Sequence, residues 1–427
     1  MRIAIVGAGI SGLVCAHLLH RDHELVVFEA TDRAGGHANT VHVQTDTGAY
    51  DLDTGFIVFN DRNYPQFERL LGELGVATQP SQMSFGVSDG VDFEYNGSSL
   101  NGLFATRGNM LAPSFHRMIA DLVRFNRDAR RLLASEESPS LREWLAQRRY
   151  SRVFVERLIV PQASAVWSAD PAQMWSLPAR FLVEFFDNHG MLGFRDRPRW
   201  LTITGGSRTY VEALTRPWHE RLAFCTPVRE VARHPDHVTV SARGREPDRF
   251  DAVVFATHSD QALALLADPS ERERELLGAI PYQTNEAVLH TDRSLLPRRR
   301  RAWASWNYHL DTGVTVVTGV TGRCTVTYHM NRLQSLRADR EFCVTLNRTA
   351  AIDPERIIAV MRYAHPVYTP AGVAAQSRHR EISGRNRTHY CGAYWGWGFH
   401  EDGVQSALRV AREIGTPRAP RARMVSA

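Results

Sequence analysis

The chain of 427 residues contains no lysine, so all 51 of its basic side chains are arginine. A GC-rich genome that favours arginine codons accounts for the bias, but the consequence is chemical whatever the cause: any mechanism that depends on a lysine amine is closed to this chain. Cysteine is scarce. Cys15, Cys225, Cys324, Cys343 and Cys391 are scattered with no CxxC pair, which excludes a disulfide framework and the usual zinc spacings. They read as reduced, buried, small apolar residues, and no metal site is expected. No segment reaches the ~18 unbroken apolar residues of a membrane span. The apolar N-terminus lacks the basic region and cleavage site of a signal peptide. The net charge of +5 invites a nucleic-acid reading. Without a helix-turn-helix, zinc-ligand or RNP-like pattern, that reading has no carrier. A cytoplasmic protein of two or three domains is expected, with 43% hydrophobic residues to build its core.

What the sequence does have begins at once. Arg2 to Val6 is a short apolar run of β character. Gly7-Ala8-Gly9-Ile10-Ser11-Gly12 follows and opens a helical stretch through Leu19. This is GxGxxG between strand and helix, where Gly7 permits the turn, Gly9 admits a pyrophosphate to the backbone, and Gly12 lets the helix pack closely on the strand. The phosphates belong at the helix N-terminus. A second strand, Glu24 to Phe28, ends at Glu29, placed to bind a ribose hydroxyl.

Directly after Glu29 and Ala30 comes a second glycine turn, Arg33-Ala34-Gly35-Gly36-His37. A nicotinamide site has no need of it, whereas an extended flavin dinucleotide needs a further close backbone approach, with a guanidinium to balance phosphate charge. Asp53-Thr54-Gly55-Phe56 is a tight bend, read as another backbone element near the ring.

These residues resemble the flavin-dependent amine oxidase superfamily, which includes monoamine oxidases, protoporphyrinogen oxidase and phytoene desaturases. The likeness runs through GAGISG, Glu29, RAGGH, DTGF, TGGSRTYVEAL from Thr204, the strand pair containing Val228, AVVFATHSDQALALL from Ala252, and YCGAYWGWGFHEDG from Tyr390. It covers nearly the whole chain. The resemblance implies FAD as cofactor. It places Val228 toward the adenine side and Gly392, Asp402, Gly403 and Val404 at the flavin. No histidine or cysteine matches a covalent attachment position, so non-covalent binding is expected. SAVWSADPAQMW, ASWNYH, TYHMNRLQ, YAHPVY and GFHEDG further resemble a bacterial subgroup of predicted NAD/FAD-binding proteins. Its genes often accompany methyltransferases similar to cyclopropane fatty acid synthase, which implies a methyltransferase partner and a role in modifying acyl chains.

The fold implied is α/β. A Rossmann-like FAD-binding domain is expected from 1–56, 200–270 and 376–415, and a discontinuous α+β substrate domain from 57–199 and 271–375. The first insertion reads as helical: Phe67, Leu70, Leu71 and Leu74 share a face after Pro65, and Ser140 with Glu143 forms a capping box. The second reads as strands, from Val314 and from Cys324, joined through Thr321-Gly322-Arg323. Asp402-Gly403 reads as the start of a helix Val404 to Ile414, whose positive end the resemblance aims at the flavin. The Pro- and Arg-rich residues 416–427 read as a disordered tail.

Two departures from the family pattern bear on chemistry. Amine oxidases of this superfamily typically use a lysine that holds a water at the flavin, and none exists here. Gly392-Ala393-Tyr394 lacks the acidic residue that contacts the ribityl chain, leaving Glu401 or backbone groups to do so. Trp395, Trp397 and Phe399 are candidates to face substrate, with core packing the alternative. His400 and His309 are the candidate proton acceptors, with His189 behind them. Arg298 to Trp306 combines four arginines with Trp303 and Trp306, which fits either peripheral contact with an anionic membrane or a solvated turn; Arg180 to Phe194 is a second amphipathic stretch. The expected function is two-electron desaturation of a modified fatty acyl lipid. An amine or amino-acid oxidase, and a flavin-binding accessory of a methyltransferase, remain alternatives.

Overall fold

The computed structural model describes residues 1–193, 197–310 and 322–415. The strand expected from Val314, the turn residue Thr321, Phe194 and the tail 416–427 lie outside the described residues. The chain divides into two compact units. One comprises Met1–Gly36, Val211–Ala279 and the chain from Ala374 onward; the other comprises His37–Tyr210 and Ile280–Val373.

Both units are discontinuous, and their boundaries are not those of the sequence reading, since residues 271–279 and 374–375 also fall in the first unit. Residues 37–56 and 200–210 were expected with the dinucleotide elements and belong instead to the second unit. Asp53 gives the physical reason. Its buried carboxylate accepts hydrogen bonds from Thr40 Oγ1 at 2.6 Å and from Ser207 N and Oγ at 2.9 and 2.7 Å. Its own N–H donates to Gln334 Oε1 at 3.0 Å. The hairpin Thr40–Thr45/Gly48–Asp53 and the turn at Gly206 are thereby bonded to one another and to the second unit's later segment.

In the first unit, five parallel strands lie in the order Leu222–Ala223, Glu24–Phe28, Arg2–Val6, Ala252–Phe255, Thr388–Tyr390. The central strand and Ala252–Phe255 are near-continuous apolar runs because a parallel sheet is covered on both faces. Val228–Arg233, Val238–Ala242 and Asp248–Phe250 form a separate antiparallel sheet. Val228 opens its first strand, opposite Ala242. Four cysteines are buried as expected, whereas Cys225 is exposed, at φ +51° in the turn after Leu222–Ala223.

The second unit holds a seven-stranded sheet. Its order is Ile357–Pro366, Tyr282–His290, Cys343–Leu346, Val326–His329, Trp306–His309, Phe85–Ser88, Glu94–Asn96, antiparallel except between Trp306–His309 and Phe85–Ser88. The strand read from Cys324 thus begins at Val326. The helical insertion is also present. Pro65–Leu74 starts on its proline and buries Phe67, Leu70 and Leu71, and the Ser140/Glu143 box caps Leu141–Gln147. The 21-residue helix Pro113–Leu133 and the helix Ala179–Asn188 complete its larger helices.

Candidate functional site

The first glycine turn is built as the residues demand. Gly7 sits at φ +103°, and a Cβ there would come within 2.9 Å of the Ala256 carbonyl oxygen. A Cβ on Gly12 would lie 2.0 Å from Gly7 O, so only glycine lets the helix Ile10–Leu19 lie this close to the strand. Gly9 is different. Nothing stands within 4 Å of its missing Cβ, and it caps the helix with no side chain, leaving the positive helix end open to an anion. Beside it, Glu29 is fixed by three donors: Ala8 N at 3.0 Å, Thr31 N at 2.9 Å and Thr31 Oγ1 at 2.9 Å. A carboxylate accepts about four hydrogen bonds, so capacity is left for a ribose hydroxyl.

The second turn lies against the first. Gly35 and Gly36 are at φ +114° and +58°, and Gly35 N donates to Ala8 O at 2.8 Å. A Cβ on Gly36 would sit 3.2 Å from Gly9 Cα, and Arg33 Nη2 donates to Gly36 O at 2.9 Å. The close approach expected of this turn is therefore made to the backbone of Gly9. Ser11 is buried in the first helix, while Ala30 lies exposed between the two turns. Two stacked glycine turns, an open helix N-terminus and a pre-bonded glutamate fit the pyrophosphate and ribose of a dinucleotide cofactor.

The C-terminal motif adds a second helix end. The last helix is His400–Ile414, four residues longer at its start than the sequence reading. Asp402 is consequently inside the first turn, where its Oδ2 accepts from Phe399 N at 2.9 Å, half of a capping box. Burial pushes its carboxyl up to about 6. A Cβ on Gly403 would lie 2.8 Å from Ile10 Cγ2 and 3.0 Å from Ser11 Oγ. The N-termini of the first and last helices are thus packed together, two positive ends at one place. Val404 is buried behind them. Gly392, whose N–H donates to Ser406 Oγ at 3.0 Å, leaves room for the Tyr394 ring. Glu401 accepts from Gln405 Nε2 at 2.9 Å.

The aromatic trio divides. Trp395 is buried, edge-on to His379 at 4.7 Å and beside Tyr394 at 5.1 Å, whereas Trp397 and Phe399 are partly exposed. His400, the first helical residue, is buried and pushed down to about 3 by desolvation, so it is neutral.

The remaining candidates belong to the second unit. His37 lies 5.0 Å from the Tyr363 ring and 5.3 Å from that of His365. Its carbonyl accepts from Phe56 N at 2.8 Å, and Gly55 is required because a Cβ would meet that carbonyl. His309 closes a polar run across four strands that sequence reading missed. Asp292 N donates to His290 Nδ1 at 3.0 Å; His290 Nε2 meets Thr345 Oγ1 at 2.7 Å; Thr345 meets Thr327 Oγ1 at 2.8 Å; Thr327 meets His309 Nε2 at 2.8 Å. Followed outward from His290, each group donates to the next, and His309 then accepts at Nε2 and carries its proton on Nδ1. Burial pushes His309 down to about 3, helped by the nearby Arg348 charge. The strands involved pair out of sequence order, so no spacing could reveal the run. His189 Nδ1 donates to the Phe185 carbonyl, 2.9 Å away, and the ring is stacked on that of Phe185.

Among the described residues no cluster of His, Cys, Asp or Glu could hold a metal ion, and no helix is long and apolar enough to cross a membrane. AofH of Mycobacterium tuberculosis, whose name describes a flavin-containing monoamine oxidase, is 27% identical over 283 residues, covering 62% of this chain and 59% of AofH. The chain therefore matches under two thirds of that relative's length. Cyclohexylamine oxidase from Brevibacterium oxydans IH-35A superposes with a TM-score of 0.67 at 16% identity, covering 97% of this chain and 99% of that one. The CLA-producing fatty acid isomerase from P. acnes gives 0.65 at 15% identity, covering 97% and 99%. At these identities the two structures show a shared fold. The family of flavin containing amine oxidoreductases matches residues 10–415, and with the paired glycine turns at its start and the double helix end at its close, the chain belongs to that family.

Proposed function

We propose that the flavin is FAD, held non-covalently, and that the protein desaturates a hydrophobic acyl chain. Gly9, Glu29, Arg33 and the N-termini of the first and last helices would hold the dinucleotide. Bound there, FAD supplies an acceptor for a hydride from a C–H bond.

The rest of the step belongs to this chain. A proton must leave the carbon next to the oxidised one, its bonding pair becoming the new double bond. His400 is the neutral imidazole offered for it, since the acceptor nitrogen of His309 is already taken by Thr327. The missing lysine and the burial of His400 carry the choice of substrate class. The burial that keeps His400 neutral also penalises an ammonium ion beside it, and no lysine is present to manage an amine. An uncharged acyl chain suits such a site. An unactivated alkane C–H is a poor hydride donor, so the substrate carries an activating group beside the reacting carbon, such as a double bond or a methyl branch next to one.

The test is anaerobic mixing of holoprotein with methyl-branched unsaturated phospholipid in liposomes and, separately, with small amines. Bleaching of the flavin by the lipid, with a new double bond found by mass spectrometry of the methyl esters, is the expected result. Bleaching by an amine and not by the lipid sinks the reading in favour of amine oxidation; bleaching by neither, under every acyl chain tried, leaves a flavin-binding accessory.

A further inference from the structure

In the arginine cluster from Arg298 to Trp306 the two tryptophans are half-buried against neighbouring residues of the same unit. Trp303 Nε1 donates to Pro297 O at 2.7 Å and its ring stands edge-on to His329 at 5.5 Å; Trp306 packs on Tyr328 at 5.2 Å; Leu295 and Leu296 are buried. The buried Glu94 accepts from Arg298 N at 2.6 Å and from Arg299 N and Nη1 at 3.1 Å, which fixes the turn and leaves Arg298, Arg300 and Arg301 at the surface.

Apolar side chains stand out on the neighbouring segment instead. Leu100 is 76% exposed, Met110 52% and Leu111 89%, in an excursion between the strand Glu94–Asn96 and the helix Pro113–Leu133. Arg301 Nε donates to Ala105 O at 2.8 Å, which ties the arginine turn to this excursion. Arg107, also exposed, donates to Phe104 O and Asn101 Oδ1 within it. Across residues 94–111 and 297–303 there are five arginines and one acidic residue, the buried Glu94.

We propose that this face docks on an anionic phospholipid surface, with Leu100, Met110 and Leu111 entering the headgroup layer and Arg107, Arg298, Arg300 and Arg301 meeting lipid phosphates. Solvent-exposed leucine and methionine on a segment tied to an arginine turn, with the one carboxylate of these two segments turned inward, is the composition that interfacial binding selects. Docking is read without turnover, so it stands or falls separately from the acyl substrate.

The experiment is co-sedimentation of flavin-loaded protein with vesicles containing phosphatidylglycerol or phosphatidylcholine alone. The native protein should prefer the anionic vesicles. Leu100→Ser with Leu111→Ser should weaken binding about tenfold or more at every salt concentration. Arg107→Gln with Arg298→Gln and Arg300→Gln should weaken it about a hundredfold at low salt, and much less at high salt. Flavin content and melting temperature serve as folding controls; if the double leucine variant fails them, Leu111→Ser alone decides. No preference for anionic vesicles, or unchanged binding without the leucines, overturns the proposal. Self-association that disappears in the leucine variant, with no vesicle binding, overturns it too and makes the face a protein interface.

Discussion

At the scale of single residues, Glu29 and the missing lysine make the sharpest tests. Three donors already hold the Glu29 carboxylate, so it presents a rigid acceptor and not a searching side chain. Glu29→Ala should weaken flavin binding by about 1.5 to 3 kcal/mol, the scale of a hydrogen bond to a charged group. Equilibrium dialysis of the apoprotein checks it; unchanged affinity would move the ribose contact elsewhere. Lysine is absent throughout. The reduced protein is therefore expected to react slowly with oxygen and to favour another electron acceptor. Stopped-flow reoxidation in aerated buffer measures this directly, and rapid peroxide formation would show that a histidine or an ordered water has taken over the task.

Among elements, the packed N-termini of the first and last helices stand or fall with Gly403. Gly403→Val places methyl groups where Ile10 and Ser11 already stand, and overpacking of this kind destabilises by about 1–3 kcal/mol. The variant should purify with less flavin per chain than the native protein, by absorbance ratio, while Gly403→Ala retains more. Equal flavin content in the valine variant would detach the helix junction from the cofactor. Legibility in the sequence follows the reach of the interactions. The strand, turn and helix around Gly7–Gly12 and the box at Ser140–Glu143 are made by residues a few positions apart, and both were readable. The start of the last helix was misplaced because Asp-Gly imitates a cap. Its first turn is instead secured by Asp402 reaching back to Phe399. The run from His290 to His309 was invisible because sheet order, not chain order, brings its members together. Nor could the pattern show that Trp303 and Trp306 pack half-buried against His329 and Tyr328, since an indole beside arginines reads alike in either direction.

For the whole molecule, buried imidazoles set the response to acid. His189 and His290 are pushed down to about 4 and His309 and His400 to about 3, each chiefly by burial, from an ordinary 6.5. Their folded values lie below the unfolded one, so their contribution is complete above 6.5 and is lost as pH falls toward 3 to 4. Asp53 and Asp402 act oppositely: burial raises both from 3.8 to about 6, so their contribution is present below 3.8 and lost as pH rises through 6. Between pH 4 and 6 the histidines outweigh the two aspartates, the unfolded chain binds more protons than the folded one, and stability should fall on acidification. Thermal melts at pH 7 and pH 5 check it; a midpoint equal or higher at pH 5 would contradict the burial assigned to these rings. The interleaving of the two units has a consequence for biosynthesis. The edge strand Thr388–Tyr390 and the helix that closes on Gly12's neighbours leave the ribosome after every other strand and helix that the first unit contributes to its parallel sheet and glycine turns. Until they emerge the nascent chain holds a glycine cradle without its lid of backbone and charge, and the cofactor has no finished seat.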